Sequence, residues 1–130
     1  MNPPLAVSLI ICYLSLSIGY SVIEKILQWQ NSLDYYKEHF KRSFLKNHVR
    51  GAIIFVILLE IVCVGLNING LYQLLNGGNT MFAIWGLLAV SITLIVLMTG
   101  QRIAQDFSGA MNITVYFILT VFGLFILERF

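Results

Sequence analysis

The sequence predicts an all-α fold: an integral membrane four-helix bundle with an interfacial amphipathic helix between the first and second spans. Three observations lead there. Hydrophobic residues make up 58% of the 130 positions and charged residues only 11%, whereas soluble domains carry about a quarter charged residues. The apolar residues gather into four runs, 5–23, 51–75, 81–100 and 109–127, each near the roughly 20 residues that cross the hydrocarbon as a helix. One substantial polar segment, 24–50, separates the first two runs. With a mean hydropathy of +0.85, the chain reads as a single four-span membrane domain over 1–130.

The first run is flanked by Glu24-Lys25 rather than by a small-residue cleavage site and has no basic stretch before it, so it is expected to stay in the mature protein as a span. In the polar segment Asn31 or Ser32 can cap a helix over about 32–46. There Leu33, Tyr36, Phe40 and Phe44 recur at three- and four-residue steps on one face, opposite Asp34, Lys37, Glu38, Lys41 and Arg42. A basic amphipathic helix with aromatic anchors, tied to spans at both ends, fits the membrane interface.

The second connection, Asn76-Gly77-Gly78-Asn79, is an uncharged glycine-rich turn that demands antiparallel neighbours. The third runs from about Gln101 to Asn112 and offers Ser108 as an N-cap for the last span. Lys25, Lys37, Lys41, Arg42, Lys46, Arg50 and Arg102 all fall on the side of the first and third connections, and Arg129 alone lies opposite. By the positive-inside rule both termini are expected outside the cytoplasm of a cell inner membrane, with the amphipathic helix on the cytoplasmic leaflet.

Polar residues within the spans carry the functional reading. Glu60 lies nine residues beyond Gly51, about 13 Å along a helix axis. An acid at that depth is costly without a partner and marks a ligand or proton site, or a hydrogen bond that locks the bundle. Hydroxyls on facing helices, from Ser17, Tyr20, Thr93, Thr114 and Tyr116, are its expected partners, with the glutamate protonated and donating. Tyr20, Thr114 and Tyr116 are the favoured ones, because Lys25 and Arg102 lie too near the interface for one side chain to bridge the depth. Glu24, Lys25, Arg102 and Asp106 share one level and are expected to form a charge cluster around a shallow cavity below Glu60.

Other chemistry finds little support. Cys12 and Cys63 belong to no CxxC pair and have no histidines at metal-ligand spacing, so they read as buried packing thiols, a membrane redox pair being the sharper alternative. Asn67 and Asn69 are expected in turn or interface positions. His39 and His48 fall in the interfacial segment, where haem ligation is not expected. No catalytic residue, metal site, nucleotide loop or serine elbow is discernible. A net charge of +2, placed at span ends, argues against nucleic acid as a partner.

Several strings are familiar: Glu24-Lys25 ending the first span, Leu58-Leu59-Glu60-Ile61-Val62 within the second, Gln101-Arg102-Ile103-Ala104-Gln105-Asp106-Phe107-Ser108-Gly109-Ala110 before the last, and Tyr116-Phe117 within it. Together with the aromatic and basic segment they resemble the DoxX-like family of small four-helix membrane proteins over essentially the whole chain. The resemblance implies an accessory subunit of a respiratory, thiosulfate or quinone redox complex, or a membrane assembly factor or chaperone. Quinone or lipid is then the small molecule expected near Glu60, and other membrane subunits are the expected partners. The lack of cofactor ligands in the chain favours a subunit over an independent enzyme. A small proton-coupled transporter fits less well, since broken helices and internal repeats are missing. Ala83, Gly86 and Ala89 offer a helix contact surface through which a homo-oligomer can form.

Overall fold

The computed structural model describes residues 5–43, 47–77 and 79–129. Helix α1 spans Leu5–Leu27, α2 Trp29–His39, α3 Val49–Gly77, α4 Met81–Ile103 and α5 Phe107–Glu128. The four longer helices are each apolar and long enough to cross a membrane, and no strand occurs among the described residues. The chain is an all-α, multi-pass integral membrane protein.

A single residue interrupts the backbone between α1 and α2: Gln28 leaves helical geometry at φ −115° and ψ 48°. Its amide still bonds the Glu24 carbonyl, and its own carbonyl accepts from Ser32. The helix therefore restarts at Trp29, ahead of the expected Asn31 or Ser32 cap, because few amides are left orphaned for a side chain to satisfy. It also ends at His39, short of the expected residue 46: the Ser43 amide and hydroxyl both turn back to the Phe40 carbonyl. Phe44 and Lys46, invoked for the amphipathic face and the charge count, lie outside the described residues, as does Gly78 of the second connection.

At the third connection Gln105 adopts the left-handed region at φ 61°. The reversal lets Asp106, rather than the expected Ser108, cap α5 by accepting from the Gly109 amide at 2.9 Å. Helix α5 thus starts two residues before the expected boundary.

The spans form a ring in the order α1, α3, α4, α5, with the α1–α5 seam the thinnest and α2 packed on α1 and α3. Helices α3 and α4 approach most closely through small residues. A Cβ on Gly70 would sit 2.7 Å from the Ala83 backbone, and one on Gly86 would sit 2.9 Å from the Asn67 side-chain oxygen. Ala83 and Gly86 are thus consumed inside the bundle and do not face outward as an oligomer surface. Asn67 is fully buried instead of lying in a turn or interface: its side-chain nitrogen donates to the Cys63 and Gly86 carbonyls. Asn69, on another face of α3, is exposed.

The apolar core has two parts. One joins Val7, Ile11, Leu14, Leu74, Leu87 and Val90 through the middle of the ring. The other places Leu33 of α2 against Val22, Val49, Ile53 and Ile57. At 29 residues, α3 is about 43 Å long and exceeds a hydrocarbon core of about 30 Å. Leu33 of α2 and Val22 of α1 join its first turns in the second cluster.

Candidate functional site

Glu60 is 3% exposed, and its carboxylate pairs with the Lys25 ammonium, itself only 9% exposed. This replaces the expected hydroxyl partners. The depth count from Gly51 assumed that all spans begin in one plane. The direct Lys25–Glu60 contact shows that assumption to fail: the lysine near the end of α1 meets an acid 11 residues into α3. Lys25 therefore turns inward instead of snorkelling to the surface.

The nominated hydroxyls lie elsewhere for geometric reasons. Tyr20 is 71% exposed, five residues before Lys25 and so on another face of α1. Thr114 and Tyr116 belong to α5, which stands diagonally across the ring from α3. The Thr114 hydroxyl donates to the Ala110 carbonyl, and the Tyr116 ring stacks on Tyr13 with centroids 6.3 Å apart. The Thr93 hydroxyl donates to the Ala89 carbonyl and meets the Cys63 sulfur at 3.2 Å. Helical threonines commonly satisfy themselves this way.

Nor do the four charges at the end of the first and third spans form one cluster. Lys25 pairs with Glu60, and Glu24 is exposed. Arg102 lies over the Phe107 ring at 4.8 Å. Asp106 caps α5 and directs its second oxygen toward His39 Nε2 at 3.6 Å. Two acids and two bases at neighbouring span ends therefore enter four different environments.

A cavity of about 370 Å³ opens beside the buried pair, walled by α2, the first half of α3 and the last half of α4. Most of its wall is aliphatic or aromatic. Its polar groups are Lys25, Tyr36, His39, Thr99 and Gln101. His39 Nε2 lies 2.8 Å from Gln101 Oε1, a bond in which the ring N–H donates. Burial pushes the Tyr36 phenol above its ordinary value of 10, with the negative charge of Glu60 adding to the effect, followed by Tyr35 and Glu24. Tyr36 therefore keeps its proton and remains a donor. The residues missed by sequence reasoning are Tyr36, His39 and Gln101. Their only signal was that Tyr36 and Phe40 mark the apolar side of α2, on which His39 borders.

Cys12 is exposed and Cys63 buried, so Cys12 is no packing thiol; it faces a second groove, between α1 and α5, together with Tyr13 and Tyr116. No three His, Cys, Asp or Glu side chains gather as a metal site among the described residues. With this geometry in view, comparison with known proteins adds no family. No family model, curated protein or solved structure matches the chain.

Proposed function

We propose that the protein is a non-catalytic accessory subunit of a quinone-linked membrane redox complex, and that the α2–α3–α4 cavity receives a neutral, hydrogen-bond-accepting head group of the quinone class. The observation that carries this reading is the buried Lys25–Glu60 pair, whose lysine lines a mostly apolar cavity. Ligand sites of this kind are mostly apolar, with a few placed polar groups, and an intramembrane ionisable pair is a functional site by default.

The chemistry favours a neutral acceptor over an anion. Glu60 already neutralises Lys25, yet an ammonium carries three donors and one carboxylate oxygen does not occupy them all. The protonated Tyr36 phenol supplies another donor. A phosphate head group would meet a neutralised lysine and an acidic Asp106 near the rim, whereas a ring carbonyl needs only donors. An apolar tail has the aliphatic walls of α3 and α4 to lie against. The resemblance to DoxX-like proteins, resting on the strings around Glu24, Glu60 and Gln101, supports the redox assignment. The distribution of basic residues supports the cytoplasmic leaflet for α2.

Purification in mild detergent tests the reading. The expected result is copurification of a membrane oxidoreductase, together with an extractable quinone that is lost in Glu60→Leu. A chain isolated alone and without quinone overturns it. Copurification of one unrelated client makes it an assembly factor, and proton-coupled uptake in liposomes makes it a carrier.

A further inference from the structure

Helix α2 rests on α1 and α3 but reaches α4 through the side chains at its C-terminal end. Leu33 is its single buried residue, at the end nearer the Gln28 break. At the other end His39 Nε2 bonds Gln101 Oε1 at 2.8 Å and faces Asp106 Oδ2 at 3.6 Å. The Phe40 ring lies over Gly100, where an added Cβ would be 3.7 Å from Phe40 Cζ. His39, Phe40, Gly100 and Gln101 all line the cavity, so the contacts holding this end of α2 also close the cavity on that side.

The receiving side is built to present those acceptors. The left-handed Gln105 reverses the chain, and Asp106 Oδ1 is fixed by the Gly109 amide. A Cβ at Gly109 would stand 2.7 Å from Asp106 Oδ2 and 2.9 Å from Gln101 Nε2, so a side chain there would push both groups out of place. Two residues of the α4–α5 elbow, Gln101 and Asp106, thus converge on one histidine of α2.

We infer that α2 is a hinged lid on the cavity, pivoting at Gln28 and latched to the α4–α5 elbow by His39 and Phe40. The inference rests on the reading of the cavity as a ligand site and adds its control. An 11-residue helix is marginal alone and depends on its packing. Here that packing is strong near Leu33 and thin at the latch. One neutral hydrogen bond contributes modestly to the closed state, so its removal raises the open population about five-fold. Opening exposes Lys25 to an entering head group, and closure brings Tyr36 back against it.

The full-length protein carrying Ala52→Cys, whose thiol would lie on the α3 wall of the cavity, reports the lid directly. Its alkylation by a small neutral maleimide in detergent is read by peptide mass spectrometry, with Cys12 in the α1–α5 groove as the internal reference. His39→Ala should accelerate alkylation at position 52 about five-fold relative to Cys12, while His39→Gln, which keeps a donor, should stay near the parent rate. Gly109→Ala should also accelerate it, by displacing the two acceptors without touching α2. Unchanged rates in both His39→Ala and Gly109→Ala, in folded protein, overturn the lid. So does equal acceleration at Cys12, which indicates general loosening. If His39→Ala accelerates alkylation but a short-tailed benzoquinone fails to slow it in the parent, the lid stands and the quinone reading falls.

Discussion

Replacing Lys25 by methionine leaves the Glu60 carboxylate buried with no cation beside it, and the structure sets the size of the consequence. Among the described residues Lys25 is the group bonded to Glu60, and at 3% exposure water cannot take its place. Removing one member of a buried pair costs about 3–5 kcal/mol when the other stays charged. The carboxylate can escape by taking a proton. Doing so costs about 1.4 kcal/mol for each pH unit above the 4.3 of a free glutamic acid, about 3.7 kcal/mol at pH 7 and about 1 kcal/mol at pH 5. Lys25→Met should therefore destabilise by about 3–4 kcal/mol at pH 7 and by only about 1 kcal/mol at pH 5. Glu60→Gln should cost less at pH 7, because the lysine borders the cavity and can turn its ammonium toward it. Denaturant titration in mixed micelles at both pH values measures these differences, and the Lys25→Met/Glu60→Gln double variant completes the cycle. A Lys25→Met protein within 1 kcal/mol of the parent at pH 7, with no change at pH 5, would refute the buried-pair reasoning.

Three further outcomes follow from particular contacts. Gly70→Ala should destabilise by about 1–3 kcal/mol, since its Cβ meets the Ala83 backbone at 2.7 Å. Gly65→Ala, with nothing within 4 Å, should stabilise by up to about 1 kcal/mol on helix propensity alone; thermal melting of the two variants side by side checks the contrast. Asp106→Ala should lose about 1 kcal/mol with the α5 N-cap, and Asp106→Ser should recover most of it in the same denaturant titration. The Tyr36 phenol, held above 10, contributes stability that is complete below pH 10 and is lost as pH rises past its folded value; the phenolate absorbance missing from Tyr36→Phe should therefore lie above pH 10.

The four spans were legible because each apolar run is long enough to cross a membrane whatever packs against it, and the few residues between Gly77 and Met81 force α3 and α4 side by side. That Glu60 would need a partner was legible for a similar reason: an acid within such a run stands out without knowledge of its neighbours. Its partner was not, because counting residues measures depth along one helix and says nothing of the stagger between two. Asn67 illustrates a second blind spot. A helix that is apolar on nearly every side has no periodicity to say which face is inward, so an asparagine near its end reads as interfacial although it points at Gly86. The α2 boundaries and the Asp106 cap were missed because backbone bonding through Gln28 and the left-handed Gln105 leave no distinctive residue type behind.

The stagger of α1 against α3 ties these features together. If Lys25 were level with the start of α3, it would reach water, and Glu60 would be alone. With the two helices offset, the pair forms, and Leu33 docks on Val49, Ile53 and Ile57. Helix α4 does not follow α2 into that contact, and the space left between them is the cavity. An apolar pair at positions 25 and 60 could hold the same offset, often at equal or better stability. Holding the helices therefore does not by itself require a charged pair, whereas placing a neutralised ammonium on the wall of an apolar cavity does. That difference makes Lys25 and Glu60 the residues on which function, more than folding, should depend.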